Sequence, residues 1–205
     1  MNLQPGAPAA SGGPTLGILG GTFDPPHIGH LIAAQDVRAA LSLDRVVFVP
    51  AADPPHKRGQ SLTAAALRLE MLRAAVAGAD GFEVSDIELR RTGPSYSVDT
   101  LRQFREAEPG TELCFIIGAD QFRELHTWRA PEEVARLARL VVMDRGSLSP
   151  GDMASPLDVA YETVRVVRVD VSSTLIRGRV KDRESIRFLV PAGVEAIIRR
   201  ERLYG

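Results

Sequence analysis

Residues 16–41 read LGILGGTFDPPHIGHLIAAQDVRAAL. An apolar run ends in two glycines, a Pro-Pro segment carries two histidines three residues apart, and apolar residues then recur at helical spacing. The first part, LGILGG from Leu16, predicts a buried strand, and HLIAAQDVRAAL (30–41) predicts a helix. A strand closed by Gly20-Gly21 and followed within ten residues by a helix brings backbone N–H groups and a positive helix end to the carboxyl edge of a sheet. That geometry suits phosphate.

The rest of the chain repeats the alternation. Further strands are expected at RVVFVP from Arg45, FEVSDIEL from Phe82, ELCFIIG from Glu112, LVVM from Leu140 and VRVVRVD from Val164. Helices are expected over 63–78, 97–108 and 131–140. The tail from Asp182 reads as two short helices split at Pro191, with the proline in the first turn of the second. Strict alternation of this kind predicts an α/β fold, a Rossmann-like doubly wound parallel sheet with flanking helices and a small C-terminal helical segment. Ligands of such sheets bind beyond the strand ends, where the strand order switches. Residues 1–14, broken by Pro5, Pro8, Pro14 and glycines, read as a disordered extension, and 15–205 as one domain.

Composition narrows the functional classes. The 205 residues carry a formal charge of −1, so no global field favours nucleic acid or an anionic membrane surface, and anion binding has to be local. No basic region precedes an apolar core near the start, and no stretch reads as a transmembrane span. The one cysteine, Cys114, excludes an intramolecular disulfide and a multi-cysteine zinc site, and suits the reducing cytoplasm. It lies in an apolar strand pattern, as a core residue does.

His27 and His30 flank the predicted helix start, so both imidazoles can face the pocket of the glycine turn, donate to phosphate oxygens and carry charge near neutral pH. Alone, they read equally well as surface-loop histidines. A second anchor is VSSTLIRGR, 171–179. Ser172 or Ser173 can cap a helix whose N–H groups face a phosphate, with Arg177 on the same face; an ordinary capped helix with a solvated arginine reads the same way. Trp128, the one tryptophan, is either a stacking platform for a flat ring or a core anchor. Lys57 either neutralises polyphosphate or solvates a loop. Asp24 caps or turns the Pro-Pro segment.

The stretch GGTFDPPHIGH lacks the dinucleotide fingerprint and the P-loop lysine. It resembles the HxGH motif of the nucleotidyltransferase superfamily, and VSSTLIR resembles the second signature of that superfamily. PPHK (54–57), GPSYSVDTL (93–101), IGADQFRELHTW (117–128) and LVPAGVEAII (189–198) are similar to bacterial nicotinate-nucleotide adenylyltransferases, a resemblance running from residue 16 to about 203. It implies that Gly20, Gly21, Thr22, Phe23, Gly118, Asp120, Ser172, Ser173 and Ile176 bind ATP, with Asp120 accepting from ribose hydroxyls. His27, His30 and Arg177 would be catalytic. Lys57, Ser97 and Trp128 would hold nicotinate mononucleotide, Ser97 standing where the family usually has Thr.

The implied reaction joins ATP to nicotinate mononucleotide, giving nicotinate adenine dinucleotide and pyrophosphate. The attacking phosphate has a second pKa of about 6, so it is already largely a dianion at neutral pH and no general base is needed. Mg²⁺ would be held mainly by ATP oxygens and water, with no protein metal cage. The partners implied are these small molecules, with neither nucleic acid nor membrane. Alternatives are a nicotinamide mononucleotide or phosphopantetheine adenylyltransferase, or a regulatory protein that binds nucleotide without turnover.

Overall fold

The computed structural model describes residues 13–54, 61–146 and 157–205. Six strands, β1 (Thr15–Gly21), β2 (Arg45–Pro50), β3 (Phe82–Val84), β4 (Glu112–Gly118), β5 (Arg139–Asp144) and β6 (Tyr161–Arg165), form one sheet in the order β3-β2-β1-β4-β5-β6. Every pairing is parallel. The helices are α1 (Ile28–Ala40), α2 (Ala65–Val76), α3 (Ser97–Ala107), α4 (Ala119–Arg123), α5 (Pro131–Leu137), α6 (Ser173–Lys181) and α7 (Ala192–Arg200), with a 3-10 turn at Leu125–Thr127.

The strands are continuous apolar runs because both faces of the sheet are covered. Alternate residues point to opposite sides. Ile18, Val47, Phe115 and Val142 pack with Val98, Leu101 and Phe104 of α3 and Val134 of α5. Leu19, Phe48, Ile116 and Val141 pack with Ala33, Ala34 and Val37 of α1 and Leu72 and Val76 of α2. Each such fully buried side chain contributes roughly 1.5–3 kcal/mol. A third cluster joins Met71 of α2, Ile176 of α6 and Val194, Ile197 and Ile198 of α7. The order reverses between β1 and β4, so the carboxyl ends of these two strands open the crevice.

Three expectations need correction. The third strand stops at Val84: after Ser85 donates to the Phe48 carbonyl, Leu89 and Arg90 N–H donate to Asp86 O and the chain turns away. The last strand runs Tyr161–Arg165, three residues earlier than expected, because Tyr161 pairs with Leu140 of β5. The tail forms one helix, α7, with Pro191 as its N-cap. The stretch before it turns instead, with Arg183 at φ 59° and Phe188 at φ 68°, left-handed values that end a helix. Residues 1–12 of the expected N-terminal extension lie outside the described residues; just before β1, the Pro14 carbonyl accepts from Glu112 N–H at 2.8 Å. Among the described residues, no helix is long and apolar enough to cross a membrane.

Candidate active site

At the end of β1 the chain passes through Thr22–Pro26 into α1. Phe23 takes φ 50° and is 3% exposed. Its ring lies over Gly21, where a Cβ would come within 2.8 Å of it, so only glycine admits that packing. The ring then meets His30 edge-on at 5.0 Å and Phe48 at 5.9 Å.

His27 is the N-cap residue of α1 and His30 the third residue of the helix. Their rings stack, with centroids 3.7 Å apart. His30 Nδ1 accepts from His27 N–H at 3.2 Å, a capping bond that fixes the proton of the neutral His30 ring on Nε2. The motif's central glycine has a steric reason: a Cβ on Gly29 would lie 3.1 Å from both Cε1 and Nδ1 of His27. His27 is buried, and its Nδ1 has no partner among the described residues. Burial, then the nearby Arg145 charge, lowers its pKa to about 4. The expected positive charge is therefore absent from His27 at pH 7 in the free protein, because a desolvated imidazole resists protonation.

The loop that carries the histidines is held from several sides. Ser172 caps α6 by accepting from Leu175 N–H. Ser173 Oγ donates to Pro25 O at 2.8 Å, and Arg177 donates to Asp24 O at 2.8 Å. Asp24 is buried; its carboxylate accepts from Thr63 N–H at 3.1 Å and from Tyr204 Oη at 2.6 Å. Its part thus exceeds the expected local turn. Arg68, 1% exposed, donates to Thr63 O at 2.9 Å, Thr22 O at 2.8 Å and Ala52 O at 3.5 Å. Sequence reasoning missed Arg68 and Tyr204, whose partners lie up to 180 residues away.

Gly20, Gly21 and Thr22 also line a cavity of about 260 Å³, together with Ser97 and Trp128. The turn assigned to ATP and two residues assigned to nicotinate mononucleotide thus share one space. Trp128 serves both of its sequence readings, lining the cavity while packing edge-on against Phe115 at 6.2 Å. Gly118 is the N-cap of α4, its N–H donating to Gln121 Oε1 at 3.2 Å. Asp120 is exposed and paired with Arg123. Ile176, also assigned to ATP, is fully buried in the cluster that joins α2, α6 and α7. Lys57 lies outside the described residues.

Among the described residues, no three His, Cys, Asp or Glu side chains converge as a metal-binding set.

The Cytidylyltransferase-like family model matches residues 18–179. A protein of Desulfitobacterium hafniense (strain Y51), named "Probable nicotinate-nucleotide adenylyltransferase", is 42% identical over 92% of this chain and 95% of its own length. One of Geobacillus thermodenitrificans with the same name is 45% identical, over 93% and 86%. A solved structure of Plasmodium falciparum nicotinic acid mononucleotide adenylyltransferase complexed with NaAD superposes with a TM-score of 0.76, covering 93% of this chain and 97% of that one at 17% identity. At that identity, the match speaks for the fold.

Proposed function

We propose that this chain, which belongs to the nicotinate-nucleotide adenylyltransferase family within the cytidylyltransferase-like group, transfers the adenylyl group of ATP to nicotinate mononucleotide, with residues 15–205 acting as one catalytic domain. The observation that carries the reading is the stacked His27–His30 pair at the start of α1, next to a glycine turn that opens into the cavity holding Trp128 and Ser97. A phosphate oxygen of nicotinate mononucleotide attacks the α-phosphorus of ATP, and the bond from that phosphorus to the bridging oxygen of the leaving pyrophosphate breaks. Both reactants are polyanions, so the protein's task is alignment and charge stabilisation.

His30 fits this task because its capping bond occupies Nδ1 and so leaves the proton of the neutral ring on Nε2, the atom that would donate to a phosphate oxygen. Neutral His27 donates without bringing a proton into competition with the chemistry. Arg177, Ser172 and Ser173 hold the Asp24–Pro25 backbone and the start of α6, and Arg177 retains N–H groups for phosphate. Ser97, at the first turn of α3, and Trp128 provide the pyridine side. Mg²⁺ carried by the triphosphate would neutralise charge on the leaving group. The cytoplasm is the compartment that supplies both substrates and keeps Cys114 reduced.

The test is pyrophosphate release with Mg-ATP and, in parallel, nicotinate mononucleotide, nicotinamide mononucleotide or phosphopantetheine. Release favouring the nicotinate form is expected, and His30→Ala should lower kcat far more than it raises KM for that substrate. ATP binding with no release for any acceptor would replace this reading with the regulatory one.

A further inference from the structure

The cavity has a charge pattern that the family motifs do not mention. Arg129, directly after Trp128, lines the same space. Its guanidinium lies over the Tyr96 ring, 4.8 Å from the centroid, and one of its nitrogens is 3.5 Å from Asp99 Oδ2. These contacts hold the side chain against the cavity wall without using its donors: the ring contact takes none, and 3.5 Å is a loose ion pair. Asp99 is shared with Arg102, which is itself forked onto Glu133 at 2.8 and 2.6 Å. Arg102 is therefore committed, and Arg129 is the cation of this group that also borders the cavity. With its side chain 57% exposed, it stands where the cavity meets solvent.

A second lining residue has the opposite sign. Glu88 is 7% exposed; one carboxylate oxygen accepts from Thr100 Oγ1 at 2.6 Å, and the other has no partner among the described residues. An N-ribosylated pyridine ring is a quaternary cation, and a nicotinate ring adds a carboxylate to it. Such a zwitterion is matched by a buried carboxylate in the wall and a guanidinium at the mouth. A carboxamide offers the guanidinium one acceptor and turns an N–H₂ group toward it.

We infer that Arg129 is the residue that selects a carboxylate over a carboxamide on the pyridine ring, by donating a forked pair of hydrogen bonds to that carboxylate. The inference rests on the adenylyltransferase reading above and adds the source of its acid selectivity. It places the discrimination in a side chain, where backbone amides alone would leave it indifferent to substitution at residue 129.

The experiment measures kcat and KM of the full chain and of Arg129→Gln with Mg-ATP and either nicotinate or nicotinamide mononucleotide, with a thermal melt of each protein. In Arg129→Gln, the ratio of kcat/KM for acid over amide should fall roughly 10- to 50-fold, carried by KM for the acid. The amide's constants and KM for ATP should stay within about twofold, and Arg129→Lys, which keeps charge but loses the fork, should fall between. An unchanged ratio in Arg129→Gln, or an equal loss with both nucleotides, overturns the inference while leaving the adenylyltransferase reading intact. A wild-type chain that does not distinguish the two also overturns it. A wild-type chain that uses neither overturns the reading beneath it.

Discussion

Replacing Arg68 with Met keeps much of the side-chain volume and removes every donor. Arg68 joins three separate segments through their carbonyls: Thr22 after β1, Ala52 after β2 and Thr63 before α2. Two of the bonds, at 2.9 and 2.8 Å, are short enough to count, and the 3.5 Å contact is not. Leaving each part-buried carbonyl without its charged donor costs about 1–2 kcal/mol, hence about 2–4 kcal/mol for the pair. An opposing effect trims this. Burial, the foremost influence on Arg68, lowers its pKa, so the guanidinium is incompletely compensated and Met relieves that penalty. The expected net loss is about 2 kcal/mol, a Tm lower by roughly 4–8 °C for a chain of this size. KM for both nucleotides should rise as the loop around Thr22 loosens. Urea and thermal unfolding, read beside pyrophosphate release, make the check, and Arg68→Lys should recover part of the loss. An Arg68→Met protein as stable as the wild type would show that desolvation cancels the clamp and that the reasoning is wrong.

Gly29→Ala sets stability against activity: the helix gains up to about 1 kcal/mol in propensity. The new Cβ, 3.1 Å from the His27 ring, should displace the imidazole and lower kcat roughly 10- to 100-fold; unaltered kcat would sink the steric account. His27 has a pKa lowered in the folded state from 6.5 to about 4, so the unfolded chain takes up its proton first as pH falls. The stability this residue contributes is intact above pH 6.5 and drains away toward pH 4, by up to about 3 kcal/mol. Unfolding free energies at pH 7, 6 and 5 should therefore converge between wild type and His27→Asn relative to their difference at pH 7, and parallel pH slopes would refute this. Tyr204→Phe leaves Asp24 without one donor; it should lower stability by about 1–3 kcal/mol, a Tm drop of roughly 2–12 °C, and a melt unchanged within 1 °C would remove Tyr204 from the loop's support.

What could be read in the sequence follows from how local the cause was. β1, β2 and β4 match their apolar runs to within a residue, since a strand buried on both faces leaves an unbroken signal. The edges were less legible. At β3, three residues pair with β2, and the rest of FEVSDIEL is apolar for other reasons, Ile87 packing against the core beside α3. At β6, valine-rich VRVVRVD looks like a strand throughout, yet the pairing with β5 decides which part is used. The His pair and the Ser172 cap were visible because each depends on neighbours within three residues. Arg68 and Tyr204 had no such neighbours. In sequence, one is a charged residue in a helix and the other a tyrosine near the end, and only the folded sheet brings either to Thr22–Asp24. Ile176 shows a different limit: from sequence it is a position inside a recognisable motif, and only the fold shows that its side chain packs the helix that carries the motif.

Cys114 occupies the middle of the sheet, facing Gly17 of β1 on one side and Arg139 of β5 on the other. It has no exposed surface, and burial pushes its thiol up to about 11. A thiol-specific reagent needs both contact and the thiolate, and the folded chain offers neither. Labelling at neutral pH must wait until the sheet parts at its centre. The chain's one sulfhydryl therefore works as an internal clock of global opening: its modification rate under native conditions, followed by mass, reads the stability of the innermost strands without any added probe.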